Sequence, residues 1–296
     1  MNTRKIVFSG LGLYVLGMIV LIVIFGGGTK NDAFKPQNEF YLVPWINLPG
    51  SFDITKGVLY LFIATALTTG TMLYVANRMQ ARPNRVQTAV EVMYGFTRDQ
   101  ITRGAMDEDM AKKWFPFLAT IFFFILFNNL IGYIPLPTNS LEKVNIFGLE
   151  IPAFAIFAAT ANVSIPLVLA LMVFIAYNVE GIRKKGLIGY LKALIPQGVE
   201  GGMAAFIFVL EFMSNFMRLI SLTVRLFANI LAGHLIILFM SGGLAVLLGM
   251  EAVGWLTLPI GVAIYLFEVG LVAALQAFIF ATLSAIYLGG AVADHH

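Results

Sequence analysis

The feature that most constrains this chain is an apolar run from residue 201 to residue 240 that contains two arginines. About 20 residues of helix cross a bilayer, so the run is far longer than one upright span requires. An arginine at the centre of a membrane helix costs about 2.5 to 3.5 kcal/mol on insertion scales, so Arg218 and Arg225 must face protein or water. The run therefore predicts a membrane helix that carries a functional site.

The polar residues of this run share one side of the predicted helix. At 100° per residue they fall within a narrow arc, and the rest of the circumference is Phe, Leu, Ile, Met and Val. The arginines either pair with buried carboxylates elsewhere and only fix helix packing, or they act on an ion. Arg225 favours the second interpretation, because no acid lies within two helical turns of it. The stripe consists of Ser214, Arg218, Ser221, Arg225 and Asn229, with Glu211 at its edge.

The composition indicates the class of protein. Of the 296 residues, 59% are hydrophobic and only 12% are charged, and the mean hydropathy is +0.86. These values lie outside the range of a soluble domain and predict an all-α polytopic membrane protein. The chain has no cysteines, which excludes disulfides, thiolate metal sites and cysteine nucleophiles.

Six apolar segments are long enough to cross or enter the membrane, and the charges orient them. Thirteen of the 19 lysines and arginines lie before the first segment, between 77 and 113, or between 179 and 200. By the positive-inside rule, both termini are then cytoplasmic. The segments are 6–25, 56–76, 114–135, about 153–178, 201–240 and about 251–290.

Three regions follow from this layout. Residues 1–30 have the charged start and apolar middle of a signal peptide, but no small-x-small cleavage site follows, so we expect a retained anchor with cleavage as the alternative. Residues 31–53 are expected to form an external loop, and 54–296 a single membrane domain. Within that domain, the pattern of 86–105 predicts an amphipathic helix in the membrane surface.

The sixth segment has two polar residues of interest. Glu268 is the only carboxylate in its interior, and Gln276 follows two turns later. Gln276 could form a helix–helix hydrogen bond with a structural role. A carboxylate in hydrocarbon spends time protonated, which is the property that a proton-relay group needs.

Five ordered motifs together resemble one family. From about residue 53 to residue 293 the chain resembles subunit a of F-type ATP synthases, the stator of the membrane proton turbine. A single RLF would be weak evidence, but five motifs in the right order on helices of the expected polarity are strong. The motifs are VQTAVEVMYGF at 86–96, NNLIGYIP at 128–135, TANVS at 160–164, RLFANILAGH at 225–234 and QAFIFATLSAIYL at 276–288.

The resemblance implies a mechanism and partners. Arg225 would face the ring of subunit c, whose carboxylates bind the translocated ion, and would be the essential residue. Two aqueous half-channels would reach the ring from opposite sides without joining. The chain would be a non-catalytic subunit of a bacterial-type plasma membrane complex, with subunit b as a second partner and with no cofactor or metal. Independently of the resemblance, the last two segments are each about twice as long as the bilayer core requires, so we expect them to form a long, strongly tilted hairpin.

The resemblance also assigns residues to the two half-channels. The outer group is Asn229, His234, Glu268, Gln276, Asn129, Asn162 and Ser164, and the inner group is Glu211, Ser214, Arg218 and Ser221.

The chain departs from the family pattern at several positions. Gly132 stands where some members have aspartate, Leu219 replaces a common proline, and Ala228 replaces a glycine. The usual acid precedes the glutamine by seven residues, whereas Glu268 precedes Gln276 by eight, which is about 80° further round a helix. Either a local bulge restores the alignment or Glu268 is less central, in which case His234, with a reference pKa near ~6.5, is the main outer titrating group.

Other functions remain as alternatives. A self-contained ion channel or secondary transporter would use Arg225 as a counter-ion or anion site. A membrane-embedded enzyme is disfavoured, because the chain lacks an HExxH motif and a nucleophile elbow. The sequence does not distinguish H⁺ from Na⁺, because the ion-binding carboxylate belongs to another chain, and it gives neither the ring size nor the direction of operation.

Overall fold

The computed structural model describes residues 12–17, 19–20, 42, 44–46, 54–146, 149–195, 199, 201–249 and 251–293. Five helices within these ranges are long and apolar enough to cross a membrane, which confirms the all-α polytopic fold. Of the predicted first segment, residues 12–17 and 19–20 are helical, and the remainder of it lies outside the described residues, as does most of the predicted loop 31–53.

The helices follow the predicted segments closely. Three turns of π-helix interrupt them, at Thr97–Thr102, Phe239–Gly243 and Glu268–Val272. The α-helices are α1 (Lys56–Asn77), α2 (Arg85–Phe96), α3 (Glu108–Gly132), α4 (Ser164–Lys185), α5 (Leu187–Lys192), α6 (Gly202–Leu238), α7 (Leu244–Leu248), α8 (Glu251–Phe267) and α9 (Ala273–Val292).

Two short antiparallel hairpins accompany the helices. Strand β1 (Pro44–Ile46) pairs with β2 (Ile54–Thr55), and β3 (Leu136–Ile146) pairs with β4 (Leu149–Ala155). The second hairpin corrects a prediction, because the fourth helix begins at Ser164 and not near residue 153. The Asn162 side chain, two residues before the helix, accepts a hydrogen bond from the Ser164 amide (3.0 Å), and Pro166 lies in the first turn, where a missing N–H does no harm.

The predicted surface helix is confirmed as a helix over most of its length. It comprises α2 and the π-helical turn Thr97–Thr102. The Asn84 side chain begins it by accepting a hydrogen bond from the Gln87 amide at 2.8 Å.

The chain divides into two compact units, the larger formed by Leu42–Leu231 with Leu271–His296. In this unit, α3 packs against α1 and α9, and α9 also packs against α4. Its core is aromatic and aliphatic and includes Leu118 and Phe123 from α3, Val173 from α4 and Phe280 from α9. The α6 residues Leu222, Leu226 and Ile230 are buried in the same core.

Glycines allow close backbone approach within the larger unit. A Cβ atom at Gly132 would lie 2.7 Å from the Cα of Ala158, and one at Gly289 would collide with the carbonyl of Ala105. Small residues at such contacts let membrane helices pack closely. The Gly132 contact gives a physical reason for this departure from the family pattern, because an aspartate side chain would displace the Ala158 segment.

The smaller unit is formed by Met1–Tyr41 with Ala232–Gly270. Here α8 packs against the π-helical turn Phe239–Gly243. A Cβ atom at Gly261 would lie 3.1 Å from the Met240 carbonyl, so this crossing also depends on a glycine. The π-helical turn Phe239–Gly243 is kinked at Gly242. The φ of this residue is 154°, which glycine can adopt and which is strained for other residues.

The long helices agree with the predicted hairpin lengths. Helix α6 alone has 37 residues. At about 1.5 Å per residue it is about 55 Å long, against a hydrocarbon core of about 30 Å. A helix of this length is accommodated by tilting or by extending out of the core.

Candidate functional site

The predicted stripe lies along the accessible side of α6. Ser221 and Asn229 are exposed, and Arg218 and Arg225 are half-buried. Their positions lie at the edge of the buried face formed by Leu222, Leu226 and Ile230. The stripe therefore lies at the border between the buried and the exposed sides of α6, and its orientation out of the subunit stays a prediction.

Arg225 is the most isolated charge of the stripe. Its Nη2 lies 3.5 Å from the Ser221 hydroxyl, one turn earlier on the same helix. Among the residues that the structure describes, no carboxylate forms an ion pair with it. The interpretation that Arg225 merely fixes helix packing through a buried ion pair therefore has no support in the described part of the chain.

Arg218 has a different environment. Its Nη2 lies 3.3 Å from Glu211 Oε1, two turns earlier on α6. Its guanidinium also stands over the ring of Tyr287 of α9, 5.5 Å from the centroid, which is within cation–π range. The charge of Arg218 is therefore held in one place by its own helix and by α9.

A group of polar residues that the sequence patterns did not single out lies beside the stripe. The Tyr177 hydroxyl donates to Asn215 Oδ1 at 2.5 Å, and Asn215 Nδ2 donates to Asn178 Oδ1 at 3.0 Å. Tyr190 of α5 donates to the same Asn178 oxygen at 2.8 Å. We call Asn215, Tyr177, Asn178 and Tyr190 the Asn215 cluster.

Tyr190 is suited to its role as a hydrogen-bond donor in the cluster. Burial raises the pKa of the Tyr190 phenol, so that its hydroxyl stays protonated and remains a donor. The sequence contained one signal for the cluster, which is that Tyr177, Asn178 and Asn215 are polar residues within apolar helices and need partners.

The residues assigned to the outer half-channel are divided between different environments. Asn129 is fully buried, donates to the Ala273 carbonyl at 3.3 Å and accepts from the Thr160 hydroxyl at 2.8 Å. Asn162 lies two residues before the start of α4, and Ser164, the first residue of α4, is exposed. Asn129 therefore ties α3 to the first turn of α9.

His234 and Glu268 are both buried within the smaller unit. A Cβ atom at Gly233 would lie 2.7 Å from Glu268 Oε1 and closer still to Oε2. The Glu268 carboxylate thus rests on the backbone of α6 at the residue before His234, and a side chain at position 233 would displace it. His234 follows Arg225 by nine residues and is buried, as expected for a residue on the opposite side from the stripe.

The helix that carries Glu268 contains the local bulge that the sequence left open. Glu268–Val272 is a π-helical turn between α8 and α9. Such a turn takes up one extra residue, so eight residues through it rotate about as far as seven residues of regular helix. The unusual spacing before Gln276, which is buried in α9, is thereby accounted for by the helix itself.

Comparison with known proteins gives a consistent result. A family model described as ATP synthase A chain matches residues 58–289. ATP synthase subunit a of Nocardioides sp. is 39% identical over 279 residues, covering 92% of this chain and 90% of the relative. The subunits a of Bradyrhizobium diazoefficiens and Pelagibacter ubique are 35% and 34% identical, cover 88% and 89% of this chain, and are themselves covered over 98% and 100% of their length.

The π-helical turn leads to a deletion test. Removing Val269 takes out the extra residue, so the turn should close into regular α-helix without rotating the flanking helices. We expect the variant to fold with a melting temperature within about 4 °C of the parent, which corresponds to about 1 kcal/mol. The measurement is the thermal unfolding of the detergent-solubilised protein.

The matched control is deletion of Ile286, which lies in regular α9 and is 49% exposed. The loss of the contacts of Ile286 itself is small. The deletion, however, rotates the part of α9 after residue 286 by about 100° relative to the part before it. It should prevent stable folding. Equal destabilisation by the two deletions would contradict the role given to the π-helical turn.

Proposed function

This chain belongs to the ATP synthase A chain family, and we propose that it is the stator through which protons reach and leave the rotating ring of subunit c. It is a multi-pass membrane protein and a non-catalytic subunit of the complex. The observation that carries the proposal is Arg225, a charge on the accessible side of a long apolar helix without an ion pair in the described chain.

Arg225 would act on the ring in two ways. An arginine stays charged at any accessible pH, so it favours the ionised form of a ring carboxylate that arrives opposite it, and the proton leaves there. At 4 Å and an effective dielectric constant of about 20, two unit charges interact by about 4 kcal/mol. The same charge repels protons that would cross directly between the half-channels, so that rotation is the remaining route.

The inner half-channel would run along the first half of α6. On this helix Ser221 is exposed, while Glu211, Ser214 and Arg218 are half-buried, with Arg218 in contact with Glu211. Carboxylate and hydroxyl groups on an accessible stripe can hold water in an otherwise apolar surface. Protons released beside Arg225 would leave by this stripe.

The outer half-channel would use His234 and Glu268 as its titrating groups. Support comes from the burial of both side chains and from the Glu268 carboxylate resting on Gly233. Because the π-helical turn restores the helical register, we propose that Glu268 and Gln276 belong to one path. Asn229 would receive the proton next to the ring, and Asn162 and Ser164 would line the outer opening.

The remaining assignment, Asn129, is better explained as a support. Both ends of its side-chain amide are engaged, one by Thr160 and the other by the Ala273 carbonyl. We propose that it holds the start of α9 in place next to the π-helical turn and does not carry protons.

The partners and location follow from the same role. The accessible side of α6 would face the c-ring, and the peripheral-stalk subunit b would hold this chain still against the torque of the ring. The distribution of lysines and arginines supports a plasma membrane orientation with both termini in the cytoplasm. The curated relatives compared above are bacterial, which supports a bacterial membrane.

The first test removes the barrier charge. Arg225→Ala should abolish ATP-driven proton pumping and ATP synthesis while the complex still assembles, because the ring carboxylate then has no ionising partner. The measurement is acidification of inverted vesicles on addition of ATP. The control is Arg183→Ala, which removes an exposed arginine of α4 that is not part of the stripe, and this variant should pump normally. Normal pumping by the Arg225 variant would refute the assignment.

The second test concerns the outer groups. If His234 and Glu268 share one relay, each can partly replace the other, and residues within one network couple strongly. His234→Ala and Glu268→Ala should each slow pumping without abolishing it, and the double variant should lose far more than the sum. The rates of the four proteins are compared at several pH values. Strict additivity, or an unaffected Glu268→Ala variant, would remove Glu268 from the path.

A further inference from the structure

Helix α6 has large apolar side chains on both its buried and its exposed sides. Leu222, Leu226 and Ile230 are buried, while Met217, Ile220 and Val224 are exposed. Lipid tails are as apolar as leucine, so exchanging one apolar side chain for another by rotating the helix costs little in a membrane. Apolar contacts alone therefore do not fix which side of α6 points outward.

We infer that Asn215 is the positioning residue that fixes the rotation of α6, through the Asn215 cluster. It is buried, and both ends of its amide are engaged, by the Tyr177 hydroxyl and by the Asn178 oxygen. These two partners belong to α4, and Asn178 also accepts from Tyr190 of α5. A rotation that moves Asn215 toward lipid breaks these bonds and leaves polar groups buried without partners.

The cluster is internally consistent. The Asn178 amide nitrogen donates to the Phe174 carbonyl at 2.7 Å, so its oxygen is the atom that is turned toward Asn215 and Tyr190. Buried polar networks specify structure best when every member is satisfied. A single buried asparagine likewise sets the alignment of helices in coiled coils, where the apolar residues leave several alignments equally stable.

The position of the stripe makes this rotation matter. Around the helix, Arg225 lies about 80° and Arg218 about 60° from Asn215, at the border between the buried and exposed sides. A turn of one residue in one direction buries both arginines, and a turn in the other direction exposes them to lipid. This consequence rests on the proposed function, because it concerns the charge that would face the ring.

Tyr177 links Asn215 to Arg218. Its ring lies 5.9 Å from that of Tyr287, centroid to centroid, and Tyr287 is the ring over which the Arg218 guanidinium stands. The same tyrosine therefore contacts the residue that sets the rotation and the ring that positions the inner arginine.

Cysteine labelling tests whether Asn215 fixes the rotation of α6. The chain has no cysteine, so a single introduced thiol can be followed without background. Ser221→Cys and Thr223→Cys place a thiol on the exposed and the buried side of α6. In assembled complexes in membranes, we expect N-ethylmaleimide to react at least tenfold faster at position 221 than at 223. Combined with Asn215→Leu, this ratio should fall at least threefold.

A milder variant and a control keep the test decisive. Tyr177→Phe removes only the hydroxyl and should lower the ratio in the same direction, which covers the case in which Asn215→Leu does not assemble. Thr68→Val removes a buried hydroxyl that bonds to its own helix, at the Ala64 carbonyl, and should leave the ratio unchanged. An unchanged ratio in the assembled Tyr177→Phe and Asn215→Leu variants would overturn the inference.

The outcome is separable from the proposed function. The labelling ratio reports helix rotation whether or not the complex pumps protons. Protons pumped per ATP, measured in the same vesicles, should fall at least twofold in Asn215→Leu and stay unchanged in Thr68→Val. A lower labelling ratio in Asn215→Leu together with normal pumping by Arg225→Ala would support the role of Asn215 in fixing the rotation of α6 and refute the stator role.

Discussion

A guanidinium group in a hydrocarbon layer is the constraint on which the rest of this structure depends. Arg225 cannot be moved into the apolar core or into lipid without a cost of at least about 2.5 kcal/mol, so α6 must keep it at an accessible border. The apolar residues around it provide no directional preference, which leaves that task to polar contacts. In the described part of the chain, Asn215 makes such contacts with α4, and the Arg218 guanidinium stands over Tyr287 of α9.

Glycines also help to fix the structure around these polar groups, because they allow side chains and backbones to meet at short distance. Gly233 gives the Glu268 carboxylate a place against α6, and Gly132 lets the end of α3 approach the Ala158 segment. The π-helical turn at Glu268–Val272 has a related effect, since its extra residue changes the helical register of the side chains before it. The Gly233 contact and the π-helical turn both act on Glu268, which is buried.

Much of the fold follows from the sequence, because long apolar runs and the lysine and arginine distribution carry strong physical constraints. The stripe on α6 could be predicted for the same reason, since helical periodicity and the cost of a buried charge act locally. The start of α4 was predicted wrongly. Hydropathy does not separate an apolar strand such as β4 from the first turns of a membrane helix.

The site shows the limit of local patterns more clearly. The π-helical turn could be stated only as one of two alternatives, because its formation depends on how α9 packs against other helices. The Asn215 cluster brings together residues from α4, α5 and α6 that are distant in the sequence, and no spacing within one segment reveals it. Asn129 was assigned to the outer half-channel by resemblance, and its contacts with Thr160 and the Ala273 carbonyl could not be read from the sequence.

The central claim is that protons cross this chain only by way of the ring, and proton flux through the isolated subunit tests it directly. The purified chain is reconstituted in vesicles with an internal pH indicator, and a potassium diffusion potential is imposed with valinomycin. The account predicts a flux no greater than that of protein-free vesicles, and a flux that appears when the ring and subunit b are assembled with it. Rapid proton uptake by the chain alone, lost in Arg225→Ala, would contradict the account and identify a self-contained channel.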